Sequence, residues 1–456
     1  MKYYFIDLFC GFGGTSYGIH GVGKDAAEVV WAVNHDCNAI ASHQLNNPDV
    51  YHSIEDIRTL DLTEMIKVIS GIRAKDRNAI ICLWASLECT NHSNAKGGMS
   101  RDADSRTLGE HLFRYVEAIN PEMIWIENVR EFKDWGPLYH KYSEVATRNP
   151  VMVPVKERKG EDYKKWVDNM CSYGYQYDHK LLNSADFGAR TSRNRLFIQF
   201  VKNPLKIYWP EASHDKLGRN GLEKWLPVAP VLDLHETGKS IFRDKPLSDK
   251  TYERILRGVK KHHSQFFIKY YGNGDNTCSL DAPGPTLTTK DRMSLITTHF
   301  IAHEYGDKGN GNSLEEPLRT ITTTPKAKLV TTHFLIDTQY GNNGIDIDKP
   351  CPTLIAKMDK KPRYLVSSEM NNIHVPVCKH DSKSVVEIKE FMQEKGIGDI
   401  KMRGLFVPEM LQIMGFPADY KIKGTVTDAK KFIGNAVETT VAKKLILNSY
   451  NKNVVR

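Results

Sequence analysis

The sequence lacks the features that are typical of membrane, secreted and zinc-binding proteins. No apolar run approaches the roughly 18 residues that a membrane-spanning helix needs, so no membrane association is predicted. The first apolar stretch contains Asp7 and is followed by no small-residue cleavage site, so we predict no targeting segment. The 8 cysteines form no Cys-x-x-Cys pair and no Cys/His zinc pattern. This usage predicts reduced thiols in a cytoplasm and no bound metal.

The composition is that of a globular protein with a surplus of positive charge. The 456 residues are enough for two domains, and 40% hydrophobic and 26% charged residues are ordinary values. Lysine and arginine number 63 against 55 acidic residues, a net charge of +8 that is densest between residues 239 and 269. A basic chain favours an anionic partner such as nucleic acid, although many basic proteins bind none.

Short apolar runs alternate with amphipathic stretches in the first part of the chain. This alternation predicts a mostly parallel α/β sheet, in which ligands bind at the carboxyl ends of the strands. Gly11, Asn34, Cys89 and Glu127 all fall just beyond predicted strand ends. The predicted strands are Tyr3–Leu8, Val29–Val33, Ala79–Trp84, Met123–Ile126 and Leu196–Val201, and the predicted helices are Ser16–His20, Ala39–Leu45, Glu64–Ile72, Leu108–Ile119 and Tyr163–Tyr173.

A glycine-rich turn, Asp7–Gly14, follows the first predicted strand. Its glycines leave room for a ligand against the backbone, and the next helix offers N–H groups at its start. Ser16 stands where a dinucleotide fingerprint has its third glycine, so the turn is a poor match to that fingerprint. A tight turn without a ligand is the alternative interpretation.

A loop cysteine and a strand-end carboxylate follow the turn. Cys89 lies shortly before Gly97-Gly98, and a thiol is intrinsically nucleophilic, particularly if Arg193 or Arg195 lies nearby. Glu127 leaves a buried strand, where a carboxyl group can hold a proton for donation. The alternatives are a structural cysteine and a carboxylate that caps a helix or pairs with an arginine.

A second region, from about residue 205 to 400, is rich in proline, glycine and threonine. It contains three copies of a 33–34-residue repeat, at about 266–368, in which Thr-rich runs precede short apolar runs. Each copy predicts short β-strands joined by glycine turns. The region is therefore predicted to be an inserted β-rich domain.

Six motifs in this order resemble the C5-cytosine DNA methyltransferase family, and the resemblance covers most of the chain. They are the Asp7–Gly14 turn, the Cys89 loop, Glu127-Asn128-Val129, Arg193-Asn194-Arg195, the segment from Arg403 to Pro417, and Gly434–Val437. The resemblance implies a Rossmann-like, mostly parallel sheet of the S-adenosylmethionine-dependent methyltransferase fold with an inserted β-rich target-recognition domain. It further implies a catalytic domain at 1–204, a target-recognition domain at 205–400, and a C-terminal segment, 401–456, that completes the catalytic domain.

The resemblance also implies a catalytic mechanism. Cys89 would add to C6 of a flipped-out cytosine while Glu127 protonates or hydrogen-bonds N3. Arg195 would hold the O2 atom of the base, with Arg193 in support, and Asn128 would bond the loop that carries Cys89. C5 would then take a methyl group from S-adenosylmethionine and lose its proton.

The same resemblance assigns residues to the methyl donor, and the recurrence of lysines in the repeats suggests contacts with DNA. Asp56 would face the adenine amine, His35 would stack on the adenine, and Asn34 would bond a ribose hydroxyl. The remaining donor-binding residues are Asp7, Phe9, Gly11, Gly13, Gly14, Asn435 and Val437. The predicted DNA-binding residues are Ser93 and Lys96 near the cysteine, and Lys290, Lys326 and Lys360 at similar places in the three repeats. Lysines that only solubilise hairpin tips are the alternative interpretation for the last three.

The sequence departs from the family pattern in two places, beside the cysteine and at the end of the second predicted strand. Glu88 and Thr90 flank the cysteine where the family usually has proline and glutamine, and Leu87 departs even from a subgroup with Ser-Pro-Glu-Cys. Asn34 stands where the family typically has glutamate, so its ribose contact is expected to be weaker.

The sequence therefore predicts a DNA (cytosine-5-)-methyltransferase of prokaryotic or phage type that acts on double-stranded DNA as a monomer in the cytoplasm. Its catalytic domain is expected to begin at residue 1, without a regulatory extension. A restriction-modification role, with a separately acting endonuclease, is one possible setting. The alternatives are a tRNA cytosine-5 methyltransferase and a DNA-binding protein whose catalysis has decayed.

Overall fold

The computed structural model of the chain describes most of the predicted catalytic domain and part of the inserted region. The residues that it describes are 1–87, 108–141, 151–233, 236, 239–249, 251–253, 255–256, the strands between 265 and 369 given below, 376–395, 399–403 and 405–454. Every structural statement that follows concerns these residues. Cys89, Ser93, Lys96, Lys326 and Lys360 lie outside them.

A seven-stranded sheet forms the centre of the first region. The strand order is β3-β2-β1-β4-β5-β9-β8, and the first five strands are parallel while β9 and β8 are antiparallel to their neighbours. This arrangement confirms the predicted α/β class with a mostly parallel, Rossmann-like sheet. The strands are β1 Lys2–Leu8, β2 Ala27–Asn34, β3 Tyr51–Ile54, β4 Ala79–Ser86, β5 Met123–Asn128, β6 Leu138–Lys141, β7 Val151–Pro154, β8 Tyr175–Asn183 and β9 Asn194–Lys202, of which β6 and β7 form a separate hairpin.

Helices cover both faces of this sheet, and one of them begins at a side chain that bonds free backbone N–H groups. The carboxylate of Asp36 accepts from the N–H groups of Asn38 and Ala39 at 3.0 and 3.2 Å, which starts the second helix. The helices are α1 Gly14–His20, α2 Cys37–Asn46, α3 Thr63–Lys75, α4 Leu112–Ile119, α5 Glu161–Ser172, α6 Lys383–Lys395, α7 Val407–Ile413, α8 Val426–Asn435 and α9 Thr439–Val454.

The hydrophobic core lies on the two faces of the sheet. On one face, Ile6, Leu83 and Ile124 pack with the apolar sides of α3 and α4. On the other face, Trp84 and Trp125 are fully buried and pack with α9. Burying a large apolar side chain contributes about 1.5–3 kcal/mol, so these layers hold the strand ends in fixed positions.

The C-terminal helix returns to the start of the chain. A Cβ atom added at Gly18 of α1 would lie 2.7 Å from the Cβ atom of Ala442 in α9, so only glycine allows this close approach. Tyr3 in β1 donates to the backbone oxygen of Ser449 at 3.4 Å. The first and last elements of the chain therefore pack together in one unit.

A second sheet, of eight strands, lies within residues 239–403 and has the order β12-β23-β16-β13-β14-β20-β19-β22. Strands β13, β17 and β19 begin at residues 265, 299 and 333, at a constant spacing. The domain bounds at 204 and 400 stay predictions. The remaining strands are β10 His214–Asp215, β11 Glu223–Lys224, β12 Lys239–Ser240, β13 Gln265–Lys269, β14 Thr277–Ser279, β15 Thr289–Lys290, β16 Met293–Thr297, β17 His299–His303, β18 Ala327–Thr331, β19 His333–Asp337, β20 Ile345–Asp346, β21 Ala356–Lys357, β22 Tyr364–Glu369 and β23 Asp399–Arg403.

The described residues contain neither a helix that is long and apolar enough to cross a membrane nor a cluster that could hold a metal. No group of three or more histidine, cysteine, aspartate or glutamate side chains is suitably placed for an ion in this part of the chain. The five cysteines whose side chains are described are free thiols: Cys10, Cys37, Cys82, Cys171 and Cys378.

Candidate functional site

A cavity of about 270 Å³ lies at the carboxyl ends of the parallel strands, beside the end of α8. This is the place where parallel α/β sheets bind ligands. The predicted site residues that line it are Phe9, Gly11, Asn34, His35, Glu127, Asn128, Arg193, Arg195, Asn435 and Val437. A larger cleft of about 1000 Å³ lies elsewhere, beside the buried Arg403–Glu409 ion pair, and contains none of these residues.

The glycine-rich turn leaves β1 with several residues in the left-handed region. Phe9 and Gly11 have φ values of 58° and 54°, and a Cβ atom added at Gly11 would meet nothing within 4 Å. The backbone at Gly11 thus faces open space in the cavity.

Gly13 and Gly14 have a different reason to be glycine. A Cβ atom at Gly13 would collide with the hydroxyl group of Tyr420, and one at Gly14 would lie 2.6 Å from the backbone oxygen of Val437. Both residues lie behind the cavity wall and let the C-terminal segment pack closely against the turn.

The end of β2 supplies the next part of the wall. Asn34 accepts a hydrogen bond from the backbone N of Asp36 at 2.9 Å, which occupies its carbonyl oxygen. The Lys431 ammonium group in α8 lies 2.8 Å from the Asp36 carboxylate, so an ion pair crosses the mouth of the cavity. Burial acts to raise the pKa of Asp36. The hydrogen bond and charge of Lys431, together with the N–H groups of Ala39 and Asn38, outweigh burial and hold this pKa below its ordinary value.

Asp56, which was predicted to face an adenine, lies outside the cavity lining. Its carboxylate is bound by the guanidinium group of Arg58 at 2.6 Å, which lowers its pKa. The structure therefore does not bring Asp56 together with the other predicted donor-binding residues, although it follows the neighbouring strand β3.

Glu127 and Arg195 meet at the end of β5. The Nε atom of Arg195 lies 3.1 Å from the Oε1 atom of Glu127, and both side chains are largely buried. Sheet register explains the meeting, because Glu127 pairs with Phe197 of antiparallel β9, two residues beyond Arg195. The pairing of Glu127 with an arginine, left open by the sequence, is thus observed.

Asn128 ties β5 to the end of β4. Its side-chain amide donates to the backbone oxygen of Leu87 at 3.3 Å, and its oxygen accepts from the backbone N of Val129 at 2.8 Å. Leu87 is the last described residue before the loop that carries Cys89. Cys89, Ser93 and Lys96 themselves lie outside the described residues.

Arg193 connects the cavity with the C-terminal segment. Its Nη1 atom donates to the backbone oxygen of Gly434 at 3.2 Å, next to Asn435 in the cavity wall. Nearby Glu438 is fully buried, which raises its pKa to about 7, and its carboxyl oxygens accept from the N–H groups of Thr440 and Val441. The start of α9 is thereby fixed beside the cavity.

Behind the cavity, Asp7 belongs to a chain of buried polar groups. Ser16 donates to Asp7 at 2.8 Å and contacts His43 of α2 at the same distance, and His43 contacts His52 of β3, again at 2.8 Å. Burial raises the pKa of Asp7 to about 7 and lowers that of His43 to about 3. Asp7 itself does not line the cavity.

Sequence reasoning missed Ser16, His43 and His52 in this chain, and Asp36 and Lys431 at the cavity mouth. Asp36 could have been found, since it lies between Asn34 and a predicted helix and is a good N-cap residue. The other residues carried no local signal, because their partners are far away in sequence.

The predicted DNA contacts are only partly covered by the structure. Lys290 lies in β15, which pairs in parallel with β21. Its side chain, and all of Lys326 and Lys360, lie outside what the structure describes.

The sequence matches the profile of the family described as C-5 cytosine-specific DNA methylase over residues 3–136 and 151–450. It is 26% identical over 257 residues to the type II methyltransferase M.DdeI of Desulfomicrobium norvegicum, a match that covers 55% of this chain and 54% of that protein. It is 27% identical over 214 residues to the type II methyltransferase M.AquIA of Picosynechococcus sp., covering 47% of this chain and 78% of that protein. The match thus spans about half the length of M.DdeI.

Among solved structures, the chain aligns with the Entamoeba histolytica methyltransferase EhMeth. It has a TM-score of 0.49 and 13% sequence identity over 100% of this chain and 99% of that one. The family profile covers nearly the whole chain, including the strand ends that form the cavity. The chain therefore belongs to the C-5 cytosine-specific DNA methylase family.

Proposed function

We propose that the protein is a DNA (cytosine-5-)-methyltransferase that uses S-adenosylmethionine as the methyl donor. One observation carries the proposal: the buried Glu127–Arg195 pair lies at the end of β5, where Asn128 also binds the backbone just before the Cys89 loop. A carboxyl group and a guanidinium group thus lie at the edge of the cavity, close to Leu87, which precedes Cys89 by two residues in the sequence. The family membership of the chain supports the same conclusion.

The residues of the cavity fit the donor. The open space at Gly11 leaves room for a ligand against the backbone, and Phe9, Asn34, His35 and Asn435 line the same cavity. Bound there, S-adenosylmethionine would supply an electrophilic methyl group. Val437 lines the cavity as well, and Asp7, Gly13 and Gly14 would shape the wall from behind.

The catalytic residues would act on the ring of the cytosine. The Cys89 sulfur forms a bond to C6, and electrons of the C5–C6 double bond move into the ring, where Glu127 holds N3 and Arg195 holds O2. C5, now nucleophilic, would form a bond to the methyl group that S-adenosylmethionine supplies, and the donor would leave as the neutral thioether S-adenosylhomocysteine. A base then removes the C5 proton, the C–H electrons restore the C5–C6 double bond, and the C6–sulfur bond breaks with its electrons returning to the Cys89 sulfur. Arg193 holds the neighbouring wall, and Asn128 holds the start of the cysteine loop.

The substrate would be double-stranded DNA, as the family description and the type II methyltransferase relatives suggest. The segment 205–400 would recognise the target, with 1–204 and 401–456 forming the catalytic domain. Ser93, Lys96, Lys290, Lys326 and Lys360 would contact DNA. We further propose a monomer in the cytoplasm of a bacterial or phage-infected cell, within a restriction-modification system whose endonuclease acts separately.

Bisulfite sequencing of host DNA after expression of the gene tests the reaction. We expect protected cytosines in one sequence context, and none with Cys89→Ala. Purified protein should also form a covalent adduct with duplex DNA that carries 5-fluorocytosine at that site. Transfer of the methyl group to tRNA alone would contradict the proposal, as would equal inactivity of the wild type and Cys89→Ala.

Charge reversal tests the proposed DNA contacts. Each of Lys290→Glu, Lys326→Glu and Lys360→Glu should weaken DNA binding and reduce the slope of log affinity against log salt by about 0.9 per lost phosphate contact. Lys24→Glu, at an exposed ion pair on the opposite end of the sheet, is the control. If the slope is unchanged in all three variants, the three lysines do not contact phosphates and only make the surface more soluble.

A further inference from the structure

A chain of four polar side chains links β1, α1, α2 and β3, which lie next to the glycine-rich turn and to the segment Asn34-His35 in the sequence. Asp7 lies in β1 before the glycine-rich turn, Ser16 in α1 after it, His43 in α2 after Asn34 and His35, and His52 in β3. Successive side chains are 2.8 Å apart throughout. Asp7, Ser16 and His43 are fully buried.

The direction of the hydrogen bonds follows from the partners of His43. Its Nδ1 atom lies 3.4 Å from the side-chain amide of Asn47, which can only donate, so Nδ1 is the unprotonated nitrogen. The hydrogen therefore lies on Nε2 and is donated to Ser16, whose own hydroxyl hydrogen goes to Asp7. His52 Nε2 lies 2.8 Å from the same Nδ1 atom, so in this tautomer it donates to the one lone pair of that nitrogen. Every donor in the chain points toward Asp7.

The chain has consequences for the spacing of the cavity walls. A buried polar group that loses its partner costs free energy, so each link favours one arrangement of its two elements. The Ser16–His43 link joins α1 to α2, and a Cβ atom at Gly13 would already lie 3.3 Å from the His43 ring. There is thus little room for either wall to shift independently.

We propose that Ser16 and His43 are positioning residues for the methyl-donor site, which set the distance between the glycine-rich turn and the Asn34–His35 segment. The inference rests on the proposed function, because it takes S-adenosylmethionine as the ligand of this cavity. Neither Ser16 nor His43 is part of the cavity lining, and neither is in the Glu127–Arg195 ion pair. Their loss therefore acts on donor binding and spares the chemistry at the target base.

Two substitutions of His43 separate hydrogen bonding from packing. A glutamine amide reaches about as far as Nε2 and can still donate to Ser16, whereas an asparagine amide reaches only as far as Nδ1. Donor dissociation constants are measured by calorimetry with S-adenosylmethionine and the full chain, without DNA. We expect His43→Asn and Ser16→Ala to weaken binding about tenfold, since each leaves a buried polar group unpaired, and His43→Gln to stay within about threefold of wild type.

The controls remove similar groups elsewhere. Ser449→Ala deletes another fully buried serine hydroxyl, and His179→Gln replaces a histidine on edge strand β8 that bonds Lys133 and Tyr177. Both should bind the donor within about twofold of wild type, as expected for sites away from the cavity. In steady-state assays with DNA, the affected variants should show a raised donor KM and a kcat within about threefold of wild type at saturating donor.

The possible outcomes distinguish this inference from the proposed function. If the wild type binds S-adenosylmethionine but His43→Asn and Ser16→Ala bind it equally well, the positioning role is wrong and the proposed function stands. If His43→Gln is as impaired as His43→Asn, the ring acts by packing alone and the inference is also wrong. If the wild type binds no S-adenosylmethionine, both fail. Should His43→Asn unfold at the assay temperature, Ser16→Ala, which removes a single oxygen atom, decides the matter.

Discussion

The cavity has a donor half at the ends of β1 and β2 and a target half at the ends of β4 and β5 and the start of β9. The two halves differ in how their buried polar groups are held. In the donor half, Ser16 and a neutral His43 join the walls through hydrogen bonds, and burial raises the pKa of Asp7 to about 7. In the target half, Arg195 lies 3.1 Å from Glu127 as an ion pair.

The difference matches what each half is proposed to bind. S-adenosylmethionine carries its own charge when it binds. Its site therefore needs walls at a fixed distance more than it needs charged protein groups. The cytosine ring gains electrons when sulfur attacks it, so its site needs charged groups that are already in place. The contrast teaches that separate changes should impair donor binding and ring chemistry independently, and the following predictions test that separation.

The largest effect is expected from Glu127→Gln, because the substitution removes the charged carboxyl group from the target half while keeping its size. Methyl transfer at saturating donor should fall by about 10²–10⁴-fold, the usual contribution of a positioned acid or base. Arg195→Ala should lower the rate of methyl transfer by a similar factor. The double variant should lose less than the product of the two single losses, because the two residues act as a unit.

The control for this prediction is the donor dissociation constant measured without DNA. It should be unchanged in Glu127→Gln and Arg195→Ala, since neither residue takes part in the hydrogen bonds behind the donor half. If either variant also bound the donor more weakly, the donor and target halves would not act independently, and the contrast between them would be wrong.

The second prediction concerns the pH dependence of stability. The pKa of buried Asp7 is raised to about 7 in the folded protein, so folding favours its protonated form between about pH 4 and pH 7. The stability that this carboxyl group contributes is present below its unfolded pKa and is lost as pH rises through 7. The contribution of Asp7 to the free energy of unfolding of wild type should fall by about 1.4 kcal/mol per pH unit until the pH reaches about 7. Between pH 5 and pH 8, the free energy of unfolding of Asp7→Asn should therefore rise by about 2–3 kcal/mol relative to that of wild type.

Urea unfolding of wild type and Asp7→Asn at several pH values measures this difference. Asp49→Asn, at an exposed carboxylate paired with Lys24, is the control and should show no such trend. A constant difference between Asp7→Asn and wild type across pH 5–8 would mean that Asp7 is ionised throughout, and that the donor half also depends on a buried charge.

The sheet could be predicted well where its strands are buried on both faces. Strands β1, β2, β4, β5 and β9 read as continuous apolar runs, which is typical of central strands in a parallel sheet. Strands β3 and β8 were missed because they are the sheet edges, where exposed positions interrupt the pattern.

The site could be predicted in part for the same reason. Residues at strand ends or just past them meet at one edge of a parallel sheet, and Gly11, Asn34 and Glu127 line one cavity there. Contacts that depend on the rotation of a helix could not be predicted. His43 meets Ser16 across 27 positions, and Lys431 meets Asp36 across 395, and no local pattern encodes either pair.

A smaller effect, in the direction of a gain, is expected from Asn34→Asp. Aspartate keeps the oxygen that accepts from the backbone N of Asp36 and adds a charge toward the ribose hydroxyls. Hydrogen bonds to a charged acceptor are stronger than neutral ones, so donor affinity should rise about fivefold. Calorimetry measures the gain, and Asn34→Leu, which loses both contacts, is the matched control. Weaker binding by Asn34→Asp would mean that the amide is used as a donor.

The smallest effect is expected from Lys431→Ala at the mouth of the cavity. Lys431 is partly exposed, and an exposed ion pair contributes about 0.2–1 kcal/mol, so donor affinity should fall by no more than about fivefold. Salt screens such pairs, so the difference from wild type should vanish at about 0.5 M salt, whereas Lys431→Arg should resemble wild type throughout.

The salt dependence makes this small effect informative about the whole donor half. Asp36→Asn removes the same ion pair but keeps an oxygen to accept from Asn38 and Ala39, so it should reproduce Lys431→Ala without unfolding the start of α2. The Ser16→Ala defect, in contrast, should persist at high salt, because a neutral buried hydrogen bond is not screened. A tenfold loss in Lys431→Ala that survives high salt would place an essential charge pair in the donor half, and the two halves would then be held in the same way.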